Sequence, residues 1–186
     1  MQNQSVAVAI SKGDLTYMSI DALIRWRVGE NALFPLRPRG TGTPVKQKMF
    51  VTPELWELFE EEHEDEDLEI RLGQLQADLE LFVEGQPIDP KYLFLLSPAR
   101  QAVWEIRSVR PNPSIRVLGL FAKRNTFVAT NFALREDLGG WQSREWKEVK
   151  RAALAGWRRL FHTYQPLASV KIHDLVTGAI NGKYFK

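Results

Sequence analysis

Residues 102–132, AVWEIRSVRPNPSIRVLGLFAKRNTFVATNF, decide the fold. They read as three consecutive strands, AVWEIR, IRVLGLFA and TFVATNF, each rich in β-branched and aromatic residues. The joining segments SVRPNPS and KRN carry the Pro, Asn and Ser chemistry of tight loops. Arg107 closes the first run, Arg116 opens the second, and Arg135 sits just past the third. A small antiparallel sheet that gathers guanidinium groups onto one surface is suited to phosphate. Each planar fork donates paired hydrogen bonds and keeps its charge. Nucleic acid is therefore the first partner to consider.

Working outward, the upstream chain supplies helices. Thr52-Pro53 is a helix start, with Thr52 as N-cap and proline at the first helical position. Beyond an acid-crowded break at residues 63–67, Leu68, Leu72, Leu75, Leu79 and Phe82 recur at helical spacing until Gly85 and Pro87 end the run. Residues 48–51 (KMFV) have the character of an edge strand, and residues 89–100 that of an apolar connector to the sheet. Downstream, Ser143 is placed to cap a last helix. Trp146, Val149, Ala153, Trp157 and Leu160 form one face of it, and Arg144, Lys147, Lys150, Arg151, Arg158 and Arg159 the other. The first 46 residues are harder to read. A short strand at residues 6–10 and a Ser19-capped helix at 19–28 precede a loop punctuated by Pro35, Pro38, Gly40, Gly42 and Pro44. Near the C-terminus, VKIHDLV reads equally as a strand or a loop. The expectation is an α+β protein with helices packed on one face of a small antiparallel sheet. It comprises an N-terminal extension and linker (1–46), a main domain (47–165) and a tail (166–186).

Composition narrows the classes. An apolar fraction of 44% and six tryptophans describe a folded chain of 186 residues, long enough for a sizeable core. Cysteine is absent, which excludes disulfides and thiolate chemistry. No apolar run approaches the roughly 18–20 residues of a membrane span, and the first residues lack a secretory pattern. The expectation is a cytoplasmic protein without a membrane partner. The net charge of +2 conceals a separation. Residues 54–69 hold ten acids and no Lys or Arg, whereas residues 91–165 hold fourteen Lys and Arg against five acids. The acidic run reads as a solvated helix face, or as a surface that shields the basic face of a second copy in a homodimer. The basic segment attracts polyanions through counterion release, or an acidic protein face.

Familiar catalytic patterns are missing. His63, His162 and His173 are far apart and none has a metal-binding spacing. GTGTP lacks the ending of a phosphate loop, and no GxSxG occurs. No metal or cofactor is expected. Arginine chemistry survives. In metal-free RNA cleavage the 2′-hydroxyl attacks the adjacent phosphorus, and Arg107, Arg116 and Arg135 would orient the phosphate and neutralise its oxygens. Arg110, Lys123, Arg124, Arg144 and Lys147 are the candidate RNA-binding residues around them. Arginine is a poor base, so Tyr, His, a carboxylate or an external group would move the proton. In the plainer alternative, Arg107 and Arg116 are strand-edge residues paired with Glu105 or Glu136.

Residues 47–164 resemble the RelE/ParE toxin superfamily, in its HigB-like, phage-derived branch. The resemblance rests on the strand Trp104-Glu105-Ile106-Arg107, the strand Arg116-Val117-Leu118, a hairpin with an apolar strand at 126–132, and the basic final helix. It implies a microbial ribonuclease fold and ribosome-dependent cleavage of mRNA, restrained by a cognate antitoxin. Arg107 and Arg116 match the strand arginines that contact substrate phosphate in the family, and Arg135 matches the basic position after the last strand. The chain departs from the pattern in three places. The turn Ala133-Leu134-Arg135-Glu136 has one basic residue where relatives have two, Val103 and Glu105 stand where some relatives carry lysines within the first strand, and the catalytic tyrosine near the final helix has no clear counterpart. Trp141 or Trp146 falls nearest its position, while His162 and Tyr164 come later. ParE-type members of the superfamily act on DNA gyrase without cutting RNA. The alternative expectation is thus a non-catalytic protein of this fold that binds gyrase or another partner, or a phage-related assembly protein.

Overall fold

The computed structural model describes residues 18–40, 42–88, 92–108 and 110–178, so the strand expected at residues 6–10 lies outside the described residues. Among the described residues six strands form one sheet in the order β1-β2-β6-β5-β4-β3. These are β1 (Phe34–Leu36), β2 (Lys48–Val51), β3 (Leu93–Leu95), β4 (Trp104–Arg107), β5 (Ile115–Lys123) and β6 (Thr126–Leu134). Five helices accompany them among the described residues: α1 (Ile20–Gly29), α2 (Pro53–Glu60), α3 (Glu66–Glu84), α4 (Arg144–Leu160) and the single turn α5 (Ile172–Leu175). The protein is α+β, and the three strands of the 102–132 stretch are adjacent and antiparallel.

Two features of the expected architecture are corrected. The sheet is mixed, because β2 runs parallel to β6, with Lys48 opposite Thr126 and Val51 opposite Ala129. The residues 48–51 strand is therefore interior, flanked on its other side by β1. Helices also cover both faces. Leu55 of α2 and Leu72, Leu75, Leu79 and Phe82 of α3 pack against Trp104, Ile106, Val117 and Phe127 on one face. Leu23 and Ile24 of α1 and Ala153, Trp157 and Leu160 of α4 pack against Val103, Leu118, Leu120 and Val128 on the other. The central strand β5 explains this. Its run Val117-Leu118-Gly119-Leu120-Phe121 is buried throughout, so both of its faces need a covering layer.

Local signals set the helix ends. Ser19 Oγ accepts the Ala22 N–H at 3.3 Å, and Ser143 Oγ accepts the Trp146 N–H at 3.2 Å. Gly85 ends α3 at φ 71°, in the left-handed region. Thr52 precedes α2 without a side-chain cap bond, so Pro53 and the fixed φ of its ring carry that start. Gly119 is required by close approach, because a Cβ there would lie 2.3 Å from the Val128 carbonyl oxygen.

The segments expected to stand apart are integral. Residues 89–100 contain the edge strand β3, with Phe94 opposite Glu105. β1 and α1 belong to the shared sheet and core, so packing is continuous across residue 46. The tail returns as α5, which buries Ile172, Leu175 and Val176 under the α2–α3 layer's face of the sheet. The Leu175 carbonyl accepts the Asn125 N–H at 2.7 Å, which ties α5 to the β5–β6 hairpin. Leu175→Ala is expected to cost about 2–5 kcal/mol of folding stability, measured by urea denaturation. A peripheral tail would give a change near zero.

Candidate functional site

The pairing register brings the arginines together. Arg107 lies directly opposite Arg116 at the end of the β4–β5 ladder, and Arg116 lies opposite Ala133, two residues before Arg135. Side chains alternate along a strand, so Glu105 and Arg107 share the α4-side face, and Arg116 is diagonal to Glu105 across the pair. Phe94, opposite Glu105 on β3, adds an aromatic ring to the same face. Past β6, a short 3-10 turn at Arg135–Asp137 presents Arg135, and the chain then reaches Trp141 and the start of α4. Glu105, Arg107, Arg116, Arg135, Trp141 and Trp146 line a pocket of about 220 Å³.

Glu105 is at the centre and is 1% exposed. Arg107 Nη2 donates to its Oε2 at 3.1 Å, while Nε of Arg107 and Nε of Arg116 lie 3.1 and 3.2 Å from its Oε1. The two Nε approaches are close but poorly aligned, and those nitrogens and Oε1 make no aligned hydrogen bond. The attraction is therefore mainly coulombic. Among the described residues, Arg116 makes no hydrogen bond through its side chain. Burial lowers the Arg116 pKa, and repulsion from Arg107 and Arg135 adds to that, outweighing the pull of Glu105. Three guanidiniums face one carboxylate, so the pocket carries an excess of two positive charges.

Neighbours hold these groups in place. The Arg107 guanidinium stacks over Phe94 at 4.3 Å from the ring centroid. Phe94 meets Trp141 edge-on at 5.7 Å, and Trp141 packs on Trp146 at 5.4 Å. Phe94 and Trp141 keep exposed surface, 37% and 47%, beside the arginines. Arg135 Nη1 donates to the Leu138 carbonyl and closes its own turn. Arg71 of α3 clamps the same turn, donating to both Glu136 oxygens at 2.6 and 2.9 Å.

The other candidate residues scatter. Arg110 lies beside Ile70 and Gly73 of α3, away from the pocket. Lys123 is at the far end of β5, where it pairs with Asp21 of α1 at 2.6 Å, and Arg124 is in the hairpin turn next to it. Seven residues of strand separate Lys123 from Arg116, roughly 23 Å. Arg144 and Lys147 stay close, flanking Trp146 in the first turns of α4, and Arg144 pairs with Glu148 at 2.7 Å. His162 and Tyr164 line a different pocket at the C-terminal end of α4. Of the two alternatives for pairing, Glu105 takes Arg107 and Arg116, and Glu136 takes Arg71. Among the described residues no group of three His, Cys, Asp or Glu could hold a metal, and no helix is long and apolar enough to cross a membrane.

Phe94 and Arg71 were not anticipated as site residues. The register that places Phe94 opposite Glu105 depends on a strand that reads as connector. Arg71 looks like one of many charges on a solvated helix, although it is buried. Comparison with family models, curated proteins and solved structures finds no match.

Two predictions test this geometry. Glu105→Gln leaves the guanidiniums without their buried counter-charge and is expected to cost about 3–5 kcal/mol. Inorganic phosphate should recover part of that loss by binding the folded state, measured as the thermal midpoint with and without phosphate. The second concerns Glu136. Burial pushes its carboxyl up, but the hydrogen bonds and charge of Arg71 prevail and hold it below the usual carboxylate range. A depressed folded pKa contributes stability above that range and loses it as pH falls through the folded value. The stability gap between wild type and Glu136→Gln should be full at neutral pH and close on acidification, read from urea midpoints across pH.

Proposed function

We propose that this pocket grips an RNA phosphodiester and that the chain is a toxin-like ribonuclease of the RelE/ParE, HigB-like kind, cutting mRNA on the ribosome. One observation carries the reading. Arg116 is only 16% exposed in its side chain, yet among the described residues it has no aligned hydrogen bond, and it lines an open pocket with two more arginines. A guanidinium in that state gains from an anion that accepts its bonds, and a phosphate offers two oxygens that its planar fork can bind in bidentate fashion. Exposed rings next to the cations fit a single strand, whose unpaired bases stack on aromatic side chains.

In the reaction, Arg116 and Arg107 hold the two non-bridging phosphate oxygens and Arg135 offsets the charge that grows on them as the 2′-oxygen attacks. The attacking hydroxyl loses a proton and the leaving 5′-oxygen gains one. Among the described residues the pocket lining includes no histidine, tyrosine or lysine, and its carboxylate is already engaged by two arginines. Proton transfer therefore falls to the ribosome or to solvent in this reading. The same lack of an acid–base group favours a second reading, a non-catalytic protein of this fold that binds RNA or an acidic partner face. A cognate antitoxin covering the pocket fits either reading.

The test maps mRNA 5′ ends in a reconstituted translation extract. New ends with wild type, absent with Arg116→Ala of unchanged thermal midpoint, support the ribonuclease. Folded wild-type protein that yields no new ends selects the non-catalytic reading. If Arg116→Ala unfolds the protein, Arg116→Lys, which keeps the charge and loses the fork, replaces it and is expected to lower cleavage about tenfold or more.

A further inference from the structure

The pocket stands at one end of a line of cations. On α4, Lys147, Arg151 and Arg158 follow at helical spacing on one ridge, with Leu154 between the last two. Of the two acids of the helix, Glu145 falls on the opposite side, whereas Glu148, one turn before Arg151, is taken up by Arg144. Lys147, Arg151 and Arg158 are exposed and, among the described residues, have no acidic partner. Arg144 and Arg159, by contrast, are paired with Glu148 and Glu54.

The helix that carries the ridge begins at the arginine pocket, which its Trp146 lines. At its middle, Lys150 Nζ donates to the Ser97 carbonyl at 2.7 Å, in the segment between β3 and β4. At its far end Arg158, His162 and Arg100 line a second pocket of about 280 Å³ together with Trp157 and Tyr164. From Trp146 in the first pocket to Trp157 in the second is eleven residues of helix, roughly 17 Å. A strand stacked as in a duplex advances about 3.4 Å per nucleotide, so the span accommodates about five.

We infer that an RNA strand seated in the arginine pocket continues along this ridge of α4 and ends at the Arg100–Arg158–His162 pocket. The inference rests on the phosphate reading of the first pocket. An acidic protein face, such as the residues 54–69 run of a second copy, is the other occupant that charge would allow. The surface chemistry favours the strand. A protein interface buries an apolar centre, and the large exposed apolar side chains, Phe94 and Trp141 among them, include none on α4. A linear row of separated cations matches a linear row of phosphates.

The experiment measures binding of 2′-O-methyl oligouridylates, which lack the attacking hydroxyl, by fluorescence anisotropy at several salt concentrations. The octamer is expected to bind at least about tenfold more tightly than the trimer. The slope of log K against log salt should be steeper by about 2, since each of the phosphates neutralised by Lys147, Arg151 and Arg158 adds about 0.7. Arg151→Glu with Arg158→Glu should return the octamer to the trimer's affinity and slope and leave the trimer unchanged. The same pair changed to Gln, milder for the fold, should produce a smaller shift in the same direction. Equal affinity and slope for octamer and trimer would overturn the ridge, as would variants that weaken both alike. Loss of salt-sensitive self-association with the octamer advantage intact would assign the ridge to a second copy and overturn it too. Arg116→Ala separates the two readings. Unchanged trimer binding in that variant defeats the pocket, whereas the octamer increment and its loss in the double variant judge the ridge.

Discussion

A single buried carboxylate makes this surface possible. Three arginines at the end of one sheet repel one another, and two of them are mostly withdrawn from water. At 1% exposure, Glu105 supplies the counter-charge that lets Arg107 and Arg116 fold inward together. The compensation is incomplete in both charge and geometry. One negative charge faces three positive, and the two Nε–Oε1 approaches are close without being aligned. A fully matched network would be inert. This one is stable enough to fold and still has donors to offer an anion. The same side chain thus holds the site together and leaves it receptive.

How much of this is legible in the sequence depends on the range over which each signal acts. The three strands around Arg107 and Arg116 announce themselves because their pairing is local. Once they are antiparallel neighbours, strand alternation alone puts Glu105, Arg107 and Arg116 on one face. The helix caps at Ser19, Ser143 and Gly85 are equally local. Partnerships across long stretches leave no comparable trace. Nothing in KMFV names Thr126–Ala129 as its parallel partner, and nothing in FPL at residues 34–36 marks it as the next strand outward. One long-range property did leave a signal. The unbroken apolar run Val117–Phe121 does not alternate, and a strand buried on both faces requires helices on both. The Arg71–Glu136 clamp had no signal, because a buried arginine and a solvated one are the same letter.

The Arg71 clamp also shows how the two helical layers cooperate. α3 lies on one face of the sheet and the pocket opens on the other. Arg71 nevertheless fixes Glu136 in the very turn that presents Arg135. A charge pair beyond the sheet's end therefore positions a side chain on the opposite layer. That turn is short and self-closed through the Leu138 carbonyl, so holding one of its residues holds the next.

α4 completes the arrangement, and a bulge in β6 fixes its seat. Between Leu118 and Gly119 the β5–β6 register slips, leaving Thr130 as an extra residue on β6. Thr130 and Asn131 consequently both reach the helix, donating to the Ala153 and Val149 carbonyls at 2.9 and 3.1 Å. Gly156 allows the approach, since a Cβ there would sit 3.0 Å from the Thr130 Cβ. Those contacts fasten the β6-facing flank of α4 through polar bonds to its backbone, which needs no charged side chains. The opposite flank is then free to carry cations, and its first turn delivers Trp146 to the arginine pocket while its last turn delivers Arg158 to the second. Because the helix is rigid over that length, whatever orients it against β6 sets the distance between the two pockets. A repair of the bulge would shift Thr130 off the helix face and move both ends of the basic ridge together, so the ridge and the pocket belong to one mechanical unit.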